Sequence, residues 1–174
     1  MTNFKKNDIF EAEVLDLTHE GQGVVKIDSF PFFVDNALPG ERIKMHVLKV
    51  GKSFGFGRVD EFISQSKHRV TQLNLDYLRT GIADFGHLSY DEQVKFKHKQ
   101  VVDILRKTAG KSDYPVLPVV EAIKTINYRN KAQIPVQMID GLLTTGFYRK
   151  NSHTLIPVCL LYTSPSPRDV EESR

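Results

Sequence analysis

Over its first 62 residues the chain alternates apolar and polar side chains in five short runs, and nowhere repeats with a helical period. Residues 9–17 put Phe10, Ala12 and Val14 on one face and Glu11 and Glu13 on the other. Gly21-Gln22-Gly23 separates this run from residues 24–27; residues 31–34 form a short apolar strand, and residues 36–40 a turn. Residues 41–50 set Ile43, Met45 and Val47 against Arg42, Lys44 and His46. Gly51, Gly55 and Gly57 are then expected to bend the chain around Phe54 and Phe56 before a last strand at residues 58–62. A period of two marks strands with one buried face, and five such strands predict a small closed or nearly closed antiparallel β-barrel. Barrels of this size can bind RNA through basic surfaces with exposed aromatics. Lys44, His46, Lys49, Lys52, Phe54, Phe56 and Arg58 supply both ingredients; alternatively, the two phenylalanines belong to the core.

Residues 63–88 carry weaker patterning: Ser64, Ser66, Lys67, His68 and Arg69 read as a polar linker, and no clean element is expected between Tyr77 and His87. At Ser89 the period changes. Ser89 with Glu92 three residues on reads as a capping box, which opens a helix over about residues 90–108. Val94, Val101, Ile104 and Leu105 fall on one face, Lys95, Lys99 and Arg106 lie away from it, and Gly110 sits where a stop is expected.

Residues 128–138 place Arg129, Lys131, Gln133, Pro135 and Gln137 opposite Tyr128, Asn130, Ala132, Ile134, Val136 and Met138. Asp140-Gly141 is a tight-turn dipeptide, and residues 142–148 can return antiparallel before Arg149, Lys150 and His153. A ribbon with an apolar back and a basic front suits a polyanion; a half-buried hairpin with a solvated charged face fits the same pattern. Residues 159–174 lack alternation and carry two Ser-Pro pairs. Residues 159–169 resemble the in-frame translation of a transposase-type sequencing adapter, and residues 170–174 the index and primer site that follow one. The tail is therefore expected to be foreign to the gene.

Hydrophobic content of 40% and charged content of 26% suit a globular chain rather than a disordered one. No apolar run approaches the roughly 20 residues of a membrane helix, so no membrane partner is expected. The N-terminus lacks a secretory core, which predicts a cytoplasmic protein. One cysteine excludes a disulfide framework and a cysteine-rich metal site within the chain. The six histidines lack metal-ligand spacing, and there is no GxGxxG fingerprint, so neither a metal nor a bound cofactor is expected here.

DLTHEGQGVVKID (residues 16–28) and FVDNALPGERIKMHVLKVGKSFGFGRV (residues 33–59) resemble the TRAM domain that begins many RNA uracil-5-methyltransferases. HLSYDEQVKFKHKQVVDILRK (residues 87–107) and YRNKAQIPV…GFYRKNSH (residues 128–153) resemble that family's central domain. The ordered set is similar to the members acting on 23S ribosomal RNA. The resemblance implies an OB-like TRAM barrel at residues 1–62, an irregular linker at 63–88 and an incomplete α+β central domain at 89–158. The α/β methyltransferase domain, which holds the catalytic cysteine and S-adenosylmethionine, is expected to be missing, leaving no catalytic residue here. It further implies a monomer that binds large-subunit ribosomal RNA through Lys44, His46, Lys52, Arg58, Arg129, Lys131, Tyr148, Arg149 and Lys150. Many members hold an iron–sulfur cluster through cysteines; this chain has Asn74, Thr80 and Ala83 there, and none can replace a thiolate, so no cluster is expected. The alternative is a stand-alone, non-catalytic RNA-binding protein.

Overall fold

A closed ring of five strands cannot alternate direction throughout, because an odd number leaves two neighbours pointing the same way. The computed structural model, which describes residues 4–110, 114–125, 131 and 133–157, shows such a ring. Strands β1 (Ile9–Leu17), β2 (Gly23–Ile27), β3 (Phe30–Asp35), β4 (Arg42–Val50) and β5 (Gly55–Ser64) close in the order β1-β2-β3-β5-β4. The odd pair is β3 with β5, which run parallel from Phe32↔Gly55 to Asp35↔Arg58, so the expected barrel is not antiparallel throughout. The core is the inner row of these strands: Val14, Val25, Phe30, Phe32, Val34, Ile43, Met45 and Val47, with Ala37. Phe10 and Ala12 pack partly buried against it. Phe4 covers the cluster, its ring 5.6, 5.4 and 5.3 Å from those of Phe10, Phe30 and Phe32.

The last strand begins three residues before its expected start. Gly55 and Gly57 do not bend the chain: both are buried within β5, on the inner face. A Cβ on Gly55 would run into the Phe32 ring, and one on Gly57 would lie 2.6 Å from Met45 Cγ.

The described residues form two compact units. One joins the barrel to the segment from Asp84 to Leu117, and the other joins Asn74–Ala83 to the strands beyond Pro118. In the first unit, α2 (Tyr90–Ala109) ends at Gly110, which adopts φ 62°, as its position predicted. The helix starts at Tyr90 as expected, but the capping box does not form. The Ser89 side chain makes no cap bond, and Glu92 accepts from Lys95 at 2.7 Å instead. Gln93 ties down the entry, donating from Nε2 to the carbonyls of Phe85 (3.0 Å) and Leu88 (2.8 Å). The buried face also differs from expectation. Val101 and Ile104 are exposed, whereas Phe96 packs with Phe85 against Leu17, Leu38 and Leu88. This satellite cluster is why residues 84–88 belong with the barrel rather than to a linker.

In the second unit a short helix, α1 (Leu75–Thr80), occupies a stretch where no element was expected. The Asn74 side chain caps it at the Asp76 amide, and Gly81 closes it at φ 74°. Strands β6 (Val136–Ile139), β7 (Leu142–Tyr148) and β8 (Leu155–Pro157) form an antiparallel sheet in that order. Asp140 (φ 50°) and Gly141 (φ 80°) make the expected hairpin turn, both left-handed as a primed turn requires. The Lys150 amide donates to the Arg79 carbonyl at 2.8 Å, which joins α1 to this sheet. Of the ribbon expected from Tyr128, Lys131 and residues 133–135 are not in a strand and β6 begins at Val136, while Tyr128, Arg129, Asn130 and Ala132 lie outside the described residues, as does the 159–174 tail. The ribbon's apolar back is exposed: Val136, Met138 and Leu143, the partner of Met138, are all open to solvent.

Candidate nucleic-acid interface

The outer face of the barrel is set by the same pleat that fills its core. With Phe32 and Val34 inward on β3, Phe33 must point out; with Gly55 and Gly57 inward on β5, Phe56 and Arg58 must point out. Strand register then lines these residues up. Phe33 (β3) sits beside Phe56 (β5), and Phe56 beside Lys49 (β4). One row on, Asp35 sits beside Arg58, and Arg58 beside His46. The β4–β5 turn is fixed by the Gly51 amide donating to the Phe54 carbonyl at 2.8 Å, and it delivers Phe54 to the same place. The three rings pack with centroids 5.4 Å (Phe33–Phe54), 6.0 Å (Phe33–Phe56) and 5.5 Å (Phe54–Phe56) apart. Phe54 is 43% exposed and the other two are half-buried. Neither Phe54 nor Phe56 is core, so the core reading of these two rings is set aside. Phe33 was missed, although Phe32-Phe33 within a period-two strand implies that one of the pair faces out.

The cations around this patch differ in how free they are. Lys49 and Lys52 are exposed and make no ion pair among the described residues. Arg58 lies 3.6 Å from Asp60 but remains 57% exposed. His46 Nε2 is 3.2 Å from Asn7 Oδ1. Lys44 is committed to Glu61 at 2.9 Å, and this hydrogen bond, with the charge of Glu61, raises the lysine's pKa. Lys44 therefore belongs to a surface pair beside the patch.

A second cluster forms at the β7–β8 turn. Tyr148 is 43% exposed and meets the His153 ring edge-on at 6.4 Å. Arg149 and Lys150 are exposed, and the Arg149 amide donates to the Thr154 carbonyl at 2.9 Å. Lys131 is exposed as well, and Arg129 lies outside the described residues.

One buried ion pair braces the barrel unit. Glu41, at the entry to β4, is fully buried and accepts Arg69 Nε at 2.6 Å and NH2 at 2.7 Å. It also accepts the amides of Leu38 (2.9 Å) and Ser66 (3.1 Å). Burial pushes its carboxyl up, but the Arg69 hydrogen bonds, the two amides and the guanidinium charge outweigh this and hold it below the usual value. Arg69 is therefore not the solvated linker residue its polar neighbours suggest, and Glu41 carries no signal in the sequence, because a buried pair 28 positions apart leaves no local pattern.

Among the described residues no group of three His, Cys, Asp or Glu could hold a metal, and no helix is long and apolar enough to cross a membrane. Where an iron–sulfur cluster's cysteines would fall, Asn74 caps α1 and the Thr80 hydroxyl donates to the Asp76 carbonyl at 2.7 Å.

Residues 4–59 match the TRAM domain, as the motifs implied. The chain is similar to an "uncharacterized RNA methyltransferase YljE" of Lactococcus lactis subsp. lactis, 99% identical over 158 residues, covering 91% of this chain and 34% of that one. It is also similar to an uncharacterized RNA methyltransferase of Streptococcus agalactiae serotype V, 56% identical over 153 residues, covering 88% and 34%. Among solved structures it resembles the Pyrococcus abyssi tRNA (uracil-54, C5)-methyltransferase in complex with S-adenosyl-L-homocysteine. That likeness has a TM-score of 0.55 at 21% identity and covers 94% of this chain and 35% of that one. At this identity the likeness is one of fold. The chain spans about a third of the length of the curated relatives it matches.

Proposed function

We propose that this chain is the RNA-binding N-terminal part of an S-adenosylmethionine-dependent RNA uracil-5-methyltransferase that acts in the cytoplasm on large-subunit ribosomal RNA. The observation that carries this reading is the outer face of the TRAM barrel, where Lys49, Lys52 and Arg58 surround three partly exposed phenylalanine rings. The relatives named RNA methyltransferases support it, as do the ordered motifs of the central domain. The match over 158 residues equals the number preceding Cys159, which supports reading residues 159–174 as foreign to the gene.

In such an enzyme S-adenosylmethionine supplies the methyl group. A target uracil must leave its stack to react, which costs a few kcal/mol, and contacts to the surrounding RNA offset that cost. In this reading Lys49, Lys52 and Arg58 of the barrel bind phosphates; Arg129, Lys131, Arg149 and Lys150 do so for the central segment, where Tyr148 stacks on a splayed base. The purified 174-residue protein is expected to transfer no methyl group to RNA.

A second reading takes transfer RNA as the substrate, and the Pyrococcus abyssi neighbour favours it, since that enzyme is named for tRNA. Binding of the 174-residue chain to a 23S ribosomal RNA fragment and to tRNA, compared at matched salt, separates the two. The first reading requires tighter binding to the ribosomal fragment. Lys49→Ala with Lys52→Ala is expected to weaken that binding and to flatten its log–log salt dependence by about 1.4, two single-strand phosphate contacts' worth. An unchanged slope between about 50 and 200 mM salt would remove the barrel face from the interface. Sequencing the gene past codon 157 tests the rest: a downstream frame with a catalytic cysteine supports the enzyme, and its absence supports a stand-alone RNA-binding protein.

A further inference from the structure

We infer that Phe33, Phe54 and Phe56 form a stacking platform for an unpaired nucleotide, so that the barrel prefers single-stranded over double-stranded RNA. This rests on the RNA-binding reading above and adds to it the kind of RNA and the contact that selects it. The barrel does not need these rings for its core. Its interior is filled by the cluster around Phe32 and Met45, which contains none of the three. They form instead a separate aromatic group on the water side of a sheet, where apolar surface opposes solubility unless something covers it.

Charge decides what that cover is. Lys49 stands in the same cross-strand row as Phe56, Lys52 lies in the turn two residues before Phe54, and Arg58 is one row away. Of the acids nearby, Asp35 accepts Gln22 Nε2 at 2.8 Å and Asp60 sits 3.6 Å from Arg58. The apolar patch is therefore rimmed by exposed cations, which suits a ligand with a flat π-face and anionic links on either side. An unpaired base with its flanking phosphates has that form, and stacking on aromatic side chains tolerates any base. Within a duplex the base faces are already stacked on one another, leaving only the phosphates to bind. Phe54 is the exposed member, held by Phe33 at a 53° tilt and by Phe56 edge-on at 88°. A ring fixed in this way loses little freedom when a base covers it.

The chain contains no tryptophan, so Phe54→Trp places one fluorophore at the platform. The probe is an oligouridylate of about 12 nucleotides, within the span of one barrel of this type, with a blunt RNA duplex of equal length as competitor. The single strand is expected to quench the emission of the Phe54→Trp variant and the duplex to leave it unchanged. Phe54→Ala and Phe54→Leu are expected to weaken single-strand binding about tenfold without altering the salt slope, whereas Phe54→Trp retains affinity. Equal single-strand affinity for Phe54→Ala and the parent chain, with Lys49→Ala/Lys52→Ala impaired, would overturn the platform and leave RNA binding standing. Quenching by the duplex as strong as by the single strand would overturn it too. So would self-association of the chain that Phe54→Ala abolishes while RNA affinity is unmoved, since the occupant would then be a second copy. Failure of the unsubstituted chain to bind any RNA would overturn the RNA-binding reading itself, and the platform with it.

Discussion

Glu41→Ala is expected to lower the stability of the barrel unit by about 3–5 kcal/mol, and Arg69→Ala by a similar amount. The carboxylate is fully buried and receives four donors, two from Arg69 and one each from the Leu38 and Ser66 amides. The Arg69 side chain is 7% exposed; its guanidinium also donates to Asn36 Oδ1 and to the Asn36 carbonyl, both at 2.9 Å, and lies 4.6 Å over the Phe62 ring. Removing either partner leaves the other's charge out of water with too few hydrogen bonds, and that uncompensated charge dominates the cost. For a unit of about 100 residues each kcal/mol shifts the midpoint by about 4–8 °C, so thermal unfolding should move down by more than about 12 °C. Replacing both together, Glu41→Leu with Arg69→Met, is expected to cost less than either single change. A double variant as unstable as the sum of the singles would show that the pair's worth lies elsewhere than in its mutual neutralisation.

The same carboxylate gives the unit a pH dependence whose sign is fixed. Its folded pKa lies below the ordinary 4.5, so its stabilisation is fully present above pH 4.5 and is lost as pH falls below that value. Urea midpoints measured from neutral pH downward should therefore decline below about pH 4.5 in the unsubstituted chain, and more gently in Glu41→Gln. Parallel curves would assign the acid sensitivity to other groups. Glu92 and Asp103 are also lowered, chiefly by hydrogen bonds from Lys95 and Lys99, but such solvated pairs contribute little.

Burial on one side writes itself into a sequence, and this is why β1 to β4 were legible nearly to their bounds. Ile43, Met45 and Val47 alternate because the barrel interior takes every second residue of β4. A six-residue helix such as α1 is too short to show a period, and only its Asn74 and Gly81 caps could have revealed it. The Ser89–Glu92 pattern located α2 but not its chemistry, since Lys95 and His68 draw Glu92 away from the cap. At the candidate interface the cations were legible, but their pairing was not. Only the register of β4 on β5 brings Glu61 to Lys44 and leaves Lys49 beside Phe56. Alternation in residues 128–138 suggested a covered apolar face, yet Val136, Met138 and the facing Leu143 are exposed, because a period of two records one-sidedness and not what lies on that side.

Gly55 and Gly57 show the same ambiguity, and the substitution Gly55→Val resolves it. A glycine in a sequence can mean a backbone that needs positive φ or a place where a side chain has no room. Neither Gly55 nor Gly57 has positive φ; both lie in a strand, so space is the reason. The room at Gly55 is taken by the Phe32 ring, itself fully buried, and by the Lys49 carbonyl at 3.0 Å. Because Phe32 is enclosed by the core, it cannot swing away, and Gly55→Val is expected to cost about 3 kcal/mol through overpacking. Gly110→Ala provides the contrast. Nothing lies within 4 Å of its added Cβ, but φ is +62°, so it should cost only about 1 kcal/mol through backbone strain. Combining Gly55→Ala with Phe32→Leu should recover part of the loss, since the smaller side chain vacates the space that the Cβ needs. Strictly additive effects in that cycle, or a Gly55→Val chain that melts with Gly110→Ala, would return Gly55 to the role of a bend. If space is the reason, the two glycines also explain the outer face: by taking the inward positions of β5, they turn Phe56 and Arg58 toward water, beside Lys49.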